Sequence, residues 1–491
     1  MNFKNITIAL FALLIFAACS GSEEKRDMSE NLSAYLNENT EVVAFGKANL
    51  NTILEKADYT SVGMLNAVLG SQIDKFETFI DAKGPIYYAA HGPLKKDGSP
   101  EKMVIFVRVK DHEALKKYLG SEMSYDLNEA KGFTYASDGD MVLGFKQHLA
   151  IIIVQNSDAK EVDLLADAFK RAEGKASTGT IAEMLKSNTG DVQMGVSLAN
   201  LYGTASGDLK KAPKSKQKEL ELLLKNAFVK STVSFENGQA VIEIKNMFGK
   251  ELQSKLFLAG NPSAPILKEL GAGTPRMGFS LNMDVKKMEA LVNELSPNGV
   301  NNALGPQFLI VKMATGSSNL NDIWDGKIGM VMFGEPDASG AFTPEVNAYM
   351  GIREKGRKAI ASLSEMGVNT TQIGNFPPFV IGDKGISIMS KPAKANQVLT
   401  LPKGAENFGK SGINFFLNLE GLNPDDVAEM FNMEELKIVI RVAKFISFEY
   451  DNNGGKLIIT ARNGKENVLK QALNEVVKEL SGKMGNSNFV M

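Results

Sequence analysis

The segment Gly404-Ala405-Glu406-Asn407-Phe408-Gly409-Lys410-Ser411 fits the spacing G-x-x-x-x-G-K-[ST], in which backbone N–H groups and a lysine cradle phosphates. That chemistry needs a strand before the glycines and a helix after them, so that the helix N-terminus points at the anion. Val398 to Leu401 has strand character, but Gly412 to Leu417 also reads as a strand. The octet is therefore read as a Gly-rich connector between strands, and no nucleotide is expected. Three histidines, His91, His112 and His148, are the candidate general bases. No two of them have metal-ligand spacing, and neither an HExxH nor a G-x-S-x-G pattern occurs. A Ser-His-Asp set assembled in space stays open, because triads are built by the fold and not by spacing. His91 closes a strand, His112 falls in a helix's first turn, and His148 lies near a hairpin. Acidic turns at Asp138-Gly139-Asp140 and Asp451-Asn452-Asn453 lack the ligand spacing and terminal Glu of a calcium loop, and read as turn chemistry. No catalytic, cofactor-binding or metal-ligating residue is assigned.

Cys19 is the only cysteine in 491 residues. Lys4, an apolar stretch from Ile6 to Phe16, and the small Ala17 and Ala18 precede it. These are the charged, apolar and small-residue parts of a secretory leader. The apolar run falls short of the roughly 20 residues that a membrane-crossing helix needs. Phe16-Ala17-Ala18-Cys19 resembles the bacterial lipoprotein signal in its last three positions; Phe16 stands where that signal usually has Leu. The resemblance implies that Cys19 is acylated, palmitate included, and becomes the new N-terminus. Several acyl chains then hold the protein to a membrane far better than one. In lipoprotein sorting an Asp after the cysteine commonly retains the protein in the inner membrane, so Ser20 points to the outer membrane. Glu23-Glu24 resembles the acidic tether of some surface-exported lipoproteins, and reads more simply as part of a solvated linker.

The rest of the composition is that of a globular protein: 44% hydrophobic, 23% charged, net charge −2. No basic footprint suggests nucleic acid. With Cys19 acylated no thiol remains, so burial alone must stabilise the fold. No further apolar run is long enough for a transmembrane helix.

The chain reads as a signal peptide (1–18), a flexible tether (19–39), and two α+β halves (40–262 and 263–491). Leu32, Tyr35 and Leu36 dock the end of the tether onto the body. The halves read as an internal duplication. Val233 to Glu236, Asn237-Gly238 and Val241 to Ile244 form strand, turn and strand; Ile446 to Glu449, Asp451 to Gly455 and Leu457 to Thr460 do the same. Earlier in each half, a strand, a Gly-Pro or Gly-Glu-Pro loop, a second strand and a helix recur at 86–119 and from Ile328 to the helix at Glu354. Four segments run from an apolar strand into a helix start: Val42 to Asn49, Met194 to Asn200, Met277 to Asp284 and Ile413 to Asn423. Their Asn and Asp residues are natural helix N-caps. Repeated β-α-β-β-α units, with further strands near 133–154 and 379–399, give antiparallel sheets with helices packed on one face. Trp324 and the 22 methionines read as core filler.

The leader ending in Cys19, the opening strand Val42–Phe45 and the strand-loop-strand-helix of 86–119 together resemble a family of large bacterial outer-membrane lipoproteins, known as a domain of unknown function. The resemblance implies location and an α+β architecture, and no activity. The expectation is a non-catalytic cell-envelope lipoprotein, a binding or scaffolding module facing the periplasm or the cell surface. Its partners are the membrane, through the acyl chains, and an envelope protein. A carrier or sensor of an apolar ligand is the alternative, and predicts a deep Met- and Phe-lined cavity. An envelope hydrolase is the third reading, and predicts a histidine beside a serine and a carboxylate in a cleft.

Overall fold

The computed structural model describes residues 27–37, 39–61, 66, 70–81, 84–95, 98–155, 161–187, 189–204, 214–260, 265–295, 316–317, 319–334, 345–365, 379–390, 398–424 and 436–486. The leader, Cys19 and the first part of the tether lie outside them. Among the described residues no helix is long and apolar enough to cross a membrane. The chain forms two compact units: residues up to 210 with 224–237 and 466 onward, and residues 211–223 with 238–465. These boundaries depart from the expected halves 40–262 and 263–491 at both ends of the second half.

The first unit is built on an antiparallel sheet of β1 (Val42–Asn49), β2 (Pro85–Leu94), β3 (Pro100–Arg108), β4 (Asn128–Ala130), β5 (Phe133–Asp138), β6 (Met141–Lys146), β7 (Leu149–Gln155), β8 (Val192–Ser197) and β9 (Phe228–Glu236). The spatial order is β9-β8-β1-β2-β3-β7-β6-β5-β4. Apolar β-branched and aromatic residues dominate β3, β6 and β7, and successive residues are buried on both faces. Ile105, Val107 and Ile152 pack on one face with Phe76 and Leu119. On the other face Phe106 meets Tyr35 edge-on at 5.2 Å. The helix Glu161–Ala172 lies on that same face: a Cβ on Gly144 would strike Leu165. Helices therefore cover both faces of these strands, not one face as expected. Each fully buried Phe or Leu contributes about 1.5–3 kcal/mol relative to exposure.

The described end of the tether is also part of this body. Asp27 caps the helix Met28–Leu36 by accepting from the Ser29 N–H at 3.0 Å. Leu32 and Tyr35 are almost fully buried, so the stripe that was expected to dock does so, and residues 28–36 are not flexible linker. The helix Val468–Asn486 also belongs to the first unit. It packs on the helix Leu50–Ala57, and its Lys470 pairs with Asp58 at 2.8 Å.

The second unit contains β10 (Gln239–Met247), β11 (Met277–Asn282), β12 (Trp324–Phe333), β13 (Glu345–Ile352), β14 (Phe379–Ile381), β15 (Gly385–Met389), β16 (Ile413–Asn418), β17 (Ala443–Asp451) and β18 (Gly454–Ala461). Its antiparallel order is β10-β18-β17-β16-β11-β12-β13-β15-β14. The run β17-β16-β11-β12-β13-β15 has the same connectivity as β9-β8-β1-β2-β3-β7. The sheet registers do not follow the sequence likeness closely: Val192 faces Val233, whereas Ile413 faces Tyr450, four residues beyond the Ile446 that matches Val233 in sequence. An even shift keeps each side chain on its face, so the hydrophobic pattern is preserved. The stripe Val285, Met288, Val292 expected on the helix Val285–Leu295 packs with Leu320, Ile323 and Trp324. Trp324 is a core residue, and its Nε1–H donates to the Lys327 carbonyl at 3.3 Å.

Candidate functional site

The octet Gly404–Ser411 is a run of turns, and the strand β16 follows it directly, with no helix whose N-terminus could meet a phosphate. It lies over the face of the second unit's sheet that carries Asn414 and Phe416. Phe408 packs edge-on against Phe416 at 5.1 Å. Asn407 Nδ2 donates to Glu449 Oε2 at 3.0 Å. The Gly404 N–H donates to Glu406 Oε1 at 2.9 Å, which holds the Glu406 carboxyl below its usual range. Asn282, at the end of β11, anchors the far side by donating to the carbonyls of Gly409 and Ser411 at 3.2 and 3.3 Å.

Beneath this connector the sheet presents a polar row. Ser280 on β11 faces Asn414 on β16, Asn414 faces Glu449 on β17, Glu449 faces Lys456 on β18, and Lys456 faces Glu243 on β10. Directly opposed residues share a face, so these side chains lie side by side. Lys456 pairs with Glu243 at 3.6 Å. A cleft of about 280 Å³ opens between the row and the connector, bounded by Gly404 to Phe408, Gln239, Ser447 and Thr460. At its base Asn414 is 2% exposed and neither polar atom of its amide has a hydrogen-bond partner. The neighbouring Ser280 hydroxyl, in a residue 0% exposed, has none either. Leaving such groups unpaired costs about 1–3 kcal/mol each.

The corresponding positions of the first unit are satisfied. The Asn49 N–H donates to Asp191 O at 2.8 Å, as the Asn282 N–H donates to Gly412 O at 2.7 Å, which aligns Lys47 with Ser280 and Gln193 with Asn414. Lys47 Nζ reaches the Leu185 carbonyl at 2.9 Å, and Gln193 Nε2 reaches that of Ser187 at 2.7 Å. Burial holds the Lys47 ammonium below its ordinary pKa. Long side chains reach their loop in one unit; short ones in the other leave the Ser280 hydroxyl and the Asn414 amide buried without partners, Asn414 at the lining of the cleft.

No family model matches this chain, and no curated protein does. Solved structures of TP0453 align with part of it. Crystal form I has a TM-score of 0.28 at 11% identity, covering 46% of this chain and 81% of that one. Form III has 0.27 at 9%, covering 43% and 80%. Form IV has 0.26 at 10%, covering 42% and 76%. Likeness at this level assigns neither family nor function.

The histidines are placed apart from one another. His91 on β2 is buried, with Nε2 2.7 Å from the Tyr35 hydroxyl and Nδ1 3.6 Å from Glu41 Oε2. Burial, then Lys102 and Arg171, pull its pKa down to about 3, so despite Glu41 the ring is neutral. Burial likewise pushes the Tyr35 hydroxyl up, so it stays protonated and can donate to Nε2. His112 lines an open cleft of about 610 Å³ with Glu129, Lys131 and Thr134, and its Nδ1 is 3.2 Å from Glu113. His148 lies exposed in the β6–β7 turn. Among the described residues no histidine shares a hydrogen bond with a serine, and no three His, Cys, Asp or Glu side chains are arranged to hold a metal. Asp138-Gly139-Asp140 forms the β5–β6 turn, with Gly139 at φ 61°. Asn452, in the β17–β18 turn, spends its amide on the Leu258 backbone, accepting at 3.0 Å and donating at 2.6 Å.

Sequence reading passed over Asn414 and Ser280. The signal was present: Asn414 alternates with Phe416, and Ser280 with Gly278, so each polar residue shares a face with a core position. Ile413, Phe415 and Leu417 on the other face hid which side was buried.

Proposed function

We propose that this protein is a lipid-anchored cell-envelope protein whose sheet units form a non-catalytic binding or scaffolding module, held at the outer membrane and facing the periplasm or the surface. The observation that carries the reading is the placement of the lone Cys19 directly after an apolar leader and two alanines. The three histidines lie apart, only His91 is buried, and neither His91 nor His112 hydrogen-bonds a serine, so their geometry does not favour the hydrolase. The apolar-carrier reading is not favoured in the first unit's core, where the space between Phe76, Phe79, Leu115 and Ile152 is about 20 Å³. That is room for about one water, far less than an acyl chain.

The test is metabolic labelling with an alkyne-bearing palmitate, followed by fractionation of the envelope. The wild-type chain takes the label and sediments with outer membranes; Cys19→Ala takes none and moves to the soluble fraction. Equal labelling and sedimentation of the two would sink the anchor.

A further inference from the structure

We infer that the cleft above β16, β17 and β18 binds a small neutral saccharide, with the Asn414 amide engaging a pair of neighbouring sugar hydroxyls. The inference deepens the binding half of the proposed function and is independent of the anchor at Cys19. Three observations lead to it.

The first is the unpaired chemistry at the base. Asn414 offers a carbonyl acceptor and an NH₂ donor, and Ser280 beside it offers a hydroxyl, none with a partner inside the protein. A hydroxyl both donates and accepts, so two on adjacent carbons satisfy both ends of one amide. The equivalent pair Lys47 and Gln193 is spent on loop carbonyls, so the open arrangement belongs to this unit.

The second is size. A cleft of about 280 Å³ exceeds by roughly tenfold the ~30 Å³ share of a single water. It lies just under the ~300 Å³ at which drug-sized sites begin, which suits one sugar ring.

The third is the wall. Three charged groups line the wall, and each has a partner already: Glu449 accepts from Asn407, Glu406 from the Gly404 N–H, and Lys456 pairs with Glu243, so no wall charge is left waiting for an ionic ligand. Ser447, Thr460 and Gln239 add neutral polar groups, and Phe408 and Phe416 supply apolar surface for the C–H face of a ring. The Asn407–Glu449 bond ties the connector across this floor. It is exposed, and a ligand that displaces Asn407 on its way to the buried Asn414 amide must itself donate to Glu449, as a sugar hydroxyl does.

The experiment titrates the detergent-solubilised full chain with glucose, galactose and N-acetylglucosamine, using calorimetry and ligand-observed saturation-transfer NMR. At least one sugar binds saturably to the wild type. Binding weakens about tenfold or more in Asn414→Leu and in Ser447→Trp, which fills the cleft without touching Asn414. Without ligand, Asn414→Leu melts no lower than wild type, because an unpaired buried amide is replaced by an apolar group of similar shape. The inference is overturned if no sugar binds saturably, or if both variants bind as wild type does. It is equally overturned if Asn414→Leu melts well below wild type, since the amide would then be paired already, or if soaked crystals show ordered water alone on Asn414. None of these outcomes bears on palmitate labelling, so failure of the site and failure of the anchor are read separately.

Discussion

His91 is a buried base that the fold holds neutral, and this makes stability depend on pH in a definite direction. Its pKa falls from about 6.5 in an unfolded chain to about 3 in the native one. Below pH 6.5 the unfolded state therefore binds a proton that the native state refuses. The stabilisation is full above about 6.5 and is lost progressively as pH falls toward about 3. Between pH 7 and pH 5 the expected loss is about 2 kcal/mol. Urea midpoints measured across that interval should fall for the wild type and fall distinctly less for His91→Phe. Parallel curves would show that other groups set the slope. That His91 closes a strand was legible from its sequence neighbours. Its neutrality was not, because it depends first on burial, to which the Tyr35 helix contributes, and then on Lys102 across the hairpin and Arg171 from far along the chain.

At the level of elements, the helix starts separate residues that cap from residues that only stand where a cap could be. Asp111 accepts from the Ala114 N–H at 2.9 Å and Asp284 from the Lys287 N–H at 3.0 Å, so both are true N-caps. Asn200, expected to serve at such a start, lies inside the helix Leu198–Thr204, and Ser197 Oγ accepts from its N–H at 3.3 Å. Its side chain instead donates to the carbonyls of Val42 and Asn39 at 2.8 and 3.2 Å, fixing the start of β1. The helix start near Asn423 lies largely outside the described residues, and Asn49 makes no side-chain cap bond. Replacing Asn200 by Asp preserves any capping role but removes both donors, so it should cost about 1–3 kcal/mol in a denaturation curve. Asp284→Asn, which keeps a capping oxygen, should change stability by only a few tenths. A neutral Asn200→Asp would restore the capping assignment. Asn and Asp before a helix carry the same sequence signal in both cases; only the carbonyls brought near by long-range pairing tell them apart.

For the molecule as a whole, chain order and unit membership part company. The helix Val468–Asn486 follows the strands of the second unit in sequence but packs in the first, through the Lys470–Asp58 pair and the Asn467 Nδ2 bond to Phe235 O at 3.0 Å. Removing residues 466–491 should therefore raise amide exchange in β1, β8, β9 and the helix Leu50–Ala57, and leave β11, β12 and β13 protected, as read by hydrogen-exchange mass spectrometry. Loss of protection spread evenly over both units, or confined to the second, would contradict this assignment of the helix.

Much of the architecture was written locally. The run Val42 to Asn49 placed β1 at its observed limits, and Ile328 to Phe333 marked β12, which begins four residues earlier at Trp324; both are readings of consecutive residues. Gly412 to Leu417 announced a strand after the Gly-rich octet, and the stripe on the helix from Val285 announced its buried side. Cys19 and the leader are likewise a reading of neighbours along the chain. Tertiary structure alone decided that helices cover both faces of β3, β6 and β7 and that the last helix joins the first unit, whereas the docking of Leu32, Tyr35 and Leu36 was legible in their spacing. It also decided that the Asn414 amide is left without a partner while Gln193 is not. Each of those outcomes turns on distances between groups far apart in sequence, and a side chain one methylene shorter changes which carbonyl it can reach.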